Sequence, residues 1–394
     1  MNWPSVKSLK TALLLCPALV LAAGCLTSAR AGVGQDLARI LASKELLVAA
    51  VGNWRQANRQ AWQGLEMAAK EINQAGGILG KPVKLWRNEV PDDPRLAVKQ
   101  AQEIADNPET AMVVMSTRRD VALPMSIVLA YRDVLTLLTG ESTPFHEVNL
   151  PMLYRLAPYD SDEMGYLTSF CLARGLSRVV IVVSDNDYAK IHANTFETEA
   201  RAREMKIVSR LDVDPQASGE SVGQELAGLV KSRPFDAIFY SGPVDLAVKL
   251  IKAAAAEGIE QPFIGGSQWD TPELAQVADP RRTSVFLVTP FTADQPDKAA
   301  AHFVDAYRQA YGEYPDAQAG FNYNALRLYA QAAKLAGTVD PDKVTDAMDN
   351  HFDWDGPLGQ VRLNELGELI FPVLYIKHFA NGKFQTLDFH PTGP

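Results

Sequence analysis

The chain has 394 residues, enough to bury two cores, and carries 38 basic against 47 acidic residues. Setting aside the first 31 residues removes three bases and no acid, leaving 35 against 47 and a net charge of −12. That balance excludes nucleic acid and anionic lipid as partners, because binding phosphates requires surplus Lys and Arg.

Residues 1–31 read as a secretory signal. Lys7 and Lys10 form a positive n-region, and the apolar run Thr11 to Gly24 is, at 14 residues, too short for a membrane span. Two processing sites compete. Cleavage after Ala31 fits the small-x-small rule of Ala29-Arg30-Ala31, whereas Ala22-Ala23-Gly24-Cys25 resembles a lipoprotein box that would leave a lipid anchor at Cys25. The first is favoured, because Ala22 stands where such boxes usually carry Leu. Either route exports the protein to the periplasm, and no later apolar run is long enough to span a membrane. Cys171 is then the one cysteine certain to remain, in a helix-like stretch where a small core residue is expected.

From residue 45 onward, strand-like and helical segments alternate. Glu45 to Val51 is apolar enough for a strand. The stretch from Trp62 to Gln74 places Trp62, Leu65, Ala69 and Ile72 on one helical face, and Gly76-Gly77 predicts its stop. Val83 to Trp86 resumes as a strand, completing a βαβ unit and predicting a parallel sheet. Ala111 to Met115 and Leu135 to Leu138 flank a helix over Val121 to Tyr131, with Pro124 expected in its first turn. Further strands are expected at Val179 to Ser184, Ile207 to Asp212, Ala237 to Tyr240 and Pro262 to Ile264. Helices near 189–205, 219–232 and 243–257 separate them, and a long helix follows over Ala317 to Ala336. After Gly359 the pattern turns antiparallel, with short strands joined at Gly367 and Asn381-Gly382. The fold class is therefore α/β, with two lobes joined by short structured connections rather than a tether.

Several blocks in this order resemble the periplasmic leucine/isoleucine/valine-binding proteins: AAKEINQAGGILGKPV, Asp92-Asp93-Pro94 with AVKQAQEIAD, Asp160-Ser161-Asp162, Asp187-Tyr188, Asp236 to Phe239, and Gly356-Pro357-Leu358-Gly359 through Gly367 to Asn381-Gly382. The resemblance implies the type I periplasmic-binding fold: two doubly wound lobes joined by three hinge crossovers. The N-terminal lobe would hold 45–149 and 289–353, and the other 150–288 and 354–394. It also implies a monomer that captures a small molecule by hinge closure and presents it to the membrane permease of an ABC importer, with no cofactor. The alternative is a periplasmic sensing module reporting occupancy to a separate receptor.

Against that family the ligand site departs. Relatives that bind α-amino acids hold the carboxylate with serine and threonine hydroxyls and backbone amides, and the ammonium with an acid. Here the turn after the third strand is Ser116-Thr117-Arg118-Arg119, the turn after the fourth is Gly140-Glu141-Ser142, and the ammonium-binding glutamate falls on Ser267. A second-lobe tyrosine falls on Pro243; only Tyr188 and Ser142 of the polar clamp look retained. An ammonium buried without a carboxylate is costly, so the expected ligand is not an α-amino acid but a carboxylate with an apolar or aromatic body. Arg118 and Arg119 follow a strand end and suit bidentate carboxylate binding, or point to solvent or pair with Asp120. Glu141 faces the same region; if it pairs with Arg119, a neutral ligand fits. Trp54 and Trp269, with Ser267 and Gln268 beside the latter, occupy loops that reach the cleft in relatives. Each Trp either stacks on the ligand or covers a lobe core.

Enzyme motifs fail on their spacing. Gly76 to Lys81 follows a helix, and Pro82 takes the Ser/Thr place of a phosphate loop. Gly265-Gly266-Ser267 lacks the second glycine of a nucleophile elbow, since Trp269 stands there. The six histidines show no metal spacing, and Ala189-Lys190 break the calcium-loop pattern begun at Asp185-Asn186-Asp187. No catalytic or metal-binding residue is expected.

Overall fold

The computed structural model describes residues 37–54, 59–90, 93–117, 119–140, 150–214, 216–271, 274, 284–294, 298–350, 354–364, 366–370, 374–380 and 383–387. The signal segment with both processing sites lies outside them, as do Arg118, Glu141, Ser142 and Asn381-Gly382.

Two α/β units emerge. In the first, β1 (Leu46–Gly52), α1 (Arg59–Gln74), β2 (Val83–Glu89), α2 (Pro94–Asp106), β3 (Thr110–Ser116), α3 (Arg119–Tyr131), β4 (Thr136–Leu138) and β5 (Leu153–Arg155) build a parallel sheet ordered β2-β1-β3-β4-β5. The second begins with α4 (Asp160–Ala173), β6 (Arg178–Ser184), α5 (Asp187–Ala202) and β7 (Lys206–Val213). It continues through α6 (Gly219–Ser232), β8 (Ala237–Ser241), α7 (Val244–Ala256), β9 (Phe263–Gly265) and β10 (Val285–Thr289). The chain then returns to the first unit as α8 (Lys298–Tyr311), α9 (Ala317–Ala336) and α10 (Pro341–Asn350). A small antiparallel sheet, β11 (Trp354–Gly356), β12 (Gly359–Leu363) and β13 (Leu369–Ile370), leads to β14 (Tyr375–Ala380) and β15 (Lys383–Leu387). Those last two complete the second sheet in the order β15-β14-β10-β9-β8-β6-β7, with β14 antiparallel to β10.

The strands that read as unbroken apolar runs are the ones covered by helices on both faces. Every residue of β3 and β8 is buried, and all but the first of β6. The Gly76-Gly77 stop behaves as a helix cap: both have positive φ, and Gly77 N–H donates to the Ile72 carbonyl at 2.8 Å. Its Cα also lies against the strand entry, where a Cβ would stand 2.1 Å from the Lys81 carbonyl oxygen. One expectation is corrected. The third helix begins at Arg119, so Pro124 sits in its second turn rather than its first.

In the first unit α1 crosses α9 at Gly64, where a Cβ would stand 2.2 Å from the Ala319 carbonyl oxygen. The lobe boundaries also move. β5 pairs with β4, so the chain leaves the first sheet after Arg155 rather than at residue 150. Leu358 is buried in the first core and Trp354 packs against it, so the stretch from residue 354 leans on the first unit before the chain crosses over. At this junction Arg155 and Glu368 form a buried ion pair at 3.8 Å, while Arg155 N–H donates to the Gly367 carbonyl and its Nη2 to the Pro158 carbonyl. The first and third crossovers are thereby tied to each other.

Candidate functional site

Two of the crossovers leave from the C-terminal ends of parallel strands, after Arg155 of the first sheet and Thr289 of the second. This brings the carboxyl edges of both sheets to the junction between the units, and such edges are where open α/β sheets bind ligands.

On the first unit that edge is made by Gly52, Glu89, Ser116 and the segment Thr139-Gly140. The loops after β3 and β4 touch: a Cβ on Gly140 would stand 2.3 Å from the Thr117 carbonyl oxygen, so only glycine fits. α9 buttresses this corner, with Thr139 Oγ1 donating to Asn322 Oδ1 at 3.0 Å. Arg119 opens α3, and its side chain lies outside the described residues.

On the second unit the edge is built by β6, β8 and β9, which are neighbours in the sheet. Asn186 caps α5 through Ala189 N–H, which fixes the helix start. Tyr188 and His192, four residues apart, then stack on one face of the helix with centroids 5.8 Å apart and planes 16° apart. His192 is 1 % exposed; its Nδ1 lies 3.0 Å from Ser241 Oγ and 3.4 Å from Gln268 Nε2. Burial lowers its pKa from 6.5 to about 4, so the imidazole is neutral at physiological pH. Tyr188, Ser267 and Gln268 therefore converge with two residues missed by sequence reading, His192 and Ser241. The available signal was the four-residue spacing of Tyr188 and His192; the histidines had been tested only for metal spacing.

Trp54 and Trp269 go elsewhere. They are 2 % and 0 % exposed, and each folds back over a glycine at a strand end. A Cβ on Gly52 would meet the Trp54 ring at 2.8 Å, and one on Gly265 would meet the Trp269 ring at 2.6 Å. Trp54 packs on Trp62 and donates from Nε1 to the Asn88 carbonyl, whereas Trp269 packs on Tyr240. Of the two roles weighed for them, both take the one of covering a lobe core. Pro243 is the residue before α7 and accepts at its carbonyl from Tyr240 Oη.

One further acid reaches this edge from an unexpected element. Glu163, in the first turn of α4, is 3 % exposed, and its Oε2 accepts from Ser267 N–H at 3.3 Å. Ser267 thus has a buried carboxylate beside it, supplied about a hundred residues earlier in the chain. Cys171 is fully buried, which pushes its thiol up to about 12 and leaves it inert. Among the described residues no group of three or more His, Cys, Asp or Glu is placed to hold a metal ion.

The profile of the family described as periplasmic binding protein matches residues 46–375, spanning both units and all the crossovers. The chain belongs to the periplasmic binding protein family. Its similarity extends to the Leu/Ile/Val-binding protein homolog 1 of Brucella abortus, 27 % identical over 335 residues that cover 82 % of this chain and 87 % of the relative. Among solved structures, an ABC transporter substrate-binding protein from Desulfitobacterium hafniense in complex with Leu superposes with a TM-score of 0.77 at 23 % identity, covering 87 % of this chain and 100 % of that one. A solute-binding protein of an ABC transporter from R. palustris in complex with benzoate superposes at 0.76 and 18 % identity, covering 87 % and 95 %. The type I periplasmic-binding fold expected from the sequence blocks is thus the fold of this chain.

Proposed function

We propose that this protein is the solute-binding subunit of an ABC-type importer, capturing a small organic ligand in the periplasm between its two lobes and delivering it to a membrane permease. The observation that carries the reading is the pairing of two carboxyl edges at the crossovers. One holds the touching loops of Thr117 and Gly140, and the other the Tyr188–His192 stack with Ser241 and Gln268. The ligands bound in the two structural neighbours, Leu and benzoate, are both carboxylic acids.

The preferred ligand is a carboxylate with an apolar or aromatic body. Arg118 and Arg119, with Ser142 and Glu141 nearby in the chain, are positioned in sequence to receive the carboxylate. Tyr188 offers a ring, backed by His192, to the body. Trp54 and Trp269 hold their loops from behind rather than touching the ligand. Ser267 and Gln268 complete the second-lobe wall. A second reading has its own support: Glu163 beside Ser267 provides the carboxylate that an α-amino acid's ammonium requires.

Calorimetric titration of the mature protein with benzoate, short aliphatic acids and leucine separates the readings. Binding of an organic acid that is lost in Arg119→Ala supports the first. Tight binding of leucine alone, lost in Glu163→Gln, replaces it with the second. Uptake of the bound compound by cells that survives deletion of this chain would refute the transport role.

A further inference from the structure

At the second crossover the chain changes lobe within three residues. Thr289 ends β10, and Phe291 is already buried in the first core against Phe303, with Pro290 alone between them. The proline ring fixes one of the few backbone angles left to turn, so whatever holds Thr289 and Phe291 bears directly on how the lobes move.

Thr289 is fully buried, and three contacts meet at its hydroxyl. Oγ1 accepts from Phe291 N–H at 3.3 Å, and it lies 3.1 Å from the Phe291 carbonyl oxygen and 3.2 Å from Asp270 Oδ2. Carbonyl and carboxylate are both acceptors, and the hydroxyl has a single proton, so one is served at a time. Donation to the carbonyl closes a turn on the crossover itself, whereas donation to Asp270 ties the crossover to the second lobe. A carboxylate is the stronger acceptor, but Lys377 Nζ takes the same Oδ2 at 2.6 Å, which narrows the difference between the two. Asp270 also closes the short turn Ser267–Trp269, donating from its N–H to the Ser267 carbonyl at 3.0 Å. That turn carries Ser267 and Gln268 of the second-lobe wall, and the buried Trp269 pins it to the lobe core. An unbroken run of contacts thus leads from the wall through Asp270 and Thr289 to Phe291 in the first core.

We infer that Asp270 and Thr289 are positioning residues for lobe closure, the Thr289 hydroxyl exchanging acceptors between the Asp270 carboxylate and the Phe291 carbonyl as the lobes move. The inference rests on the proposed solute-binding role, and it gives the second crossover two discrete settings rather than a continuous bend. Both side chains act through the crossover and the wall turn, without touching ligand.

The test measures lobe separation by pulsed electron spin resonance between spin labels at Arg95→Cys and Glu220→Cys. Both sites are exposed in the first turns of α2 and α6, after β2 and β7, the sheet edges remote from the crossovers, and Cys171 is buried away from the label. In the unliganded protein Thr289→Val, which removes the hydroxyl but keeps the branched shape, should broaden or shift the distance distribution, whereas Thr289→Ser should reproduce the parent. Asp270→Asn weakens one of the two acceptors and should shift the distribution as well, which keeps the test open should valine disturb folding. Titration with benzoate and with leucine adds a second reading: whichever binds should lose about tenfold in affinity in Thr289→Val and keep it in Thr289→Ser. A parent-like distribution in both Thr289→Val and Asp270→Asn, or a serine variant displaced as far as the valine one, would overturn the inference, since packing alone ranks valine above serine in a buried site. A parent whose lobe separation stays unchanged with both probes would instead count against the solute-binding reading, and the unliganded comparison would still decide the crossover.

Discussion

Replacing Gly64 by Ala tests the packing that shapes the first lobe. The added methyl would lie 2.2 Å from the Ala319 carbonyl oxygen and 2.9 Å from its carbon, so backbone rather than a flexible side chain must move. Restoring an ordinary contact requires α1 and α9 to separate by about 1 Å, which overpacking data put at about 3 kcal/mol. The separation also strains the hydrogen bond from Asp316 N–H to Gln60 Oε1, 2.7 Å long and one turn from Gly64, adding about 1 kcal/mol. Alanine's better helix propensity returns about 1 kcal/mol. The net loss of about 3 kcal/mol corresponds to a fall in Tm of about 6 °C. Gly228→Ala, on the exposed side of α6 with open space around its Cα, is the matched control, expected to stabilise by up to about 1 kcal/mol. Thermal and urea unfolding followed by circular dichroism reads both. A Gly64→Ala protein as stable as the parent, with Gly228→Ala behaving as expected, would refute the packing argument.

Burial raises the Asp316 carboxyl to about 7, with Asp270 adding to the effect, so the native state holds a proton that the unfolded chain releases near pH 4. Stability therefore falls as pH rises from 4 through 7. Asp316→Asn keeps the cap on Ala319 and should exceed the parent by about 2 kcal/mol at pH 8, a figure discounted for the residue's partial exposure, with no gain at pH 4. His192 works with the opposite sign. Its folded pKa lies below the unfolded value, so stability is lost as pH falls from 6.5 to 4, by up to about 3 kcal/mol, and urea midpoints of His192→Phe should lack that acid limb. The Cys171 thiol should resist alkylation at pH 8 in the native protein and react fully in denaturant; labelling within minutes without denaturant would contradict its burial.

Much of the fold was legible because parallel strands covered on both faces are written as unbroken apolar runs, as in Val179 to Ser184. The helices at 219–232 and 317–336 end where their glycine, serine and aspartate signals place them. β5 and β10 were missed for different reasons. Leu153–Arg155 is three residues long and carries a charge, and Val285–Thr289 stands in a stretch with no clear helix on either side. The site was harder, because its geometry depends on what chain-distant residues do to one another. Trp54 and Trp269 turn inward because Gly52 and Gly265 leave room for their rings, a relation invisible in either loop alone. Glu163 reaches Ser267 only once α4 is docked on β10, so no local reading of the stretch around Ser267 could have found it.

The threefold passage of the chain between the lobes has a consequence for its manufacture. The first core needs Phe303, Tyr329 and Leu358 to close over strands made at the beginning, and the second needs Ile376 and Phe379 from the penultimate strand. A chain emerging from its N-terminus can complete neither lobe early, since both wait for its final third. Premature collapse before translocation is thereby discouraged by topology itself, and a truncation that removes only the last two strands should strip one edge from the second sheet while leaving the first lobe's inventory intact.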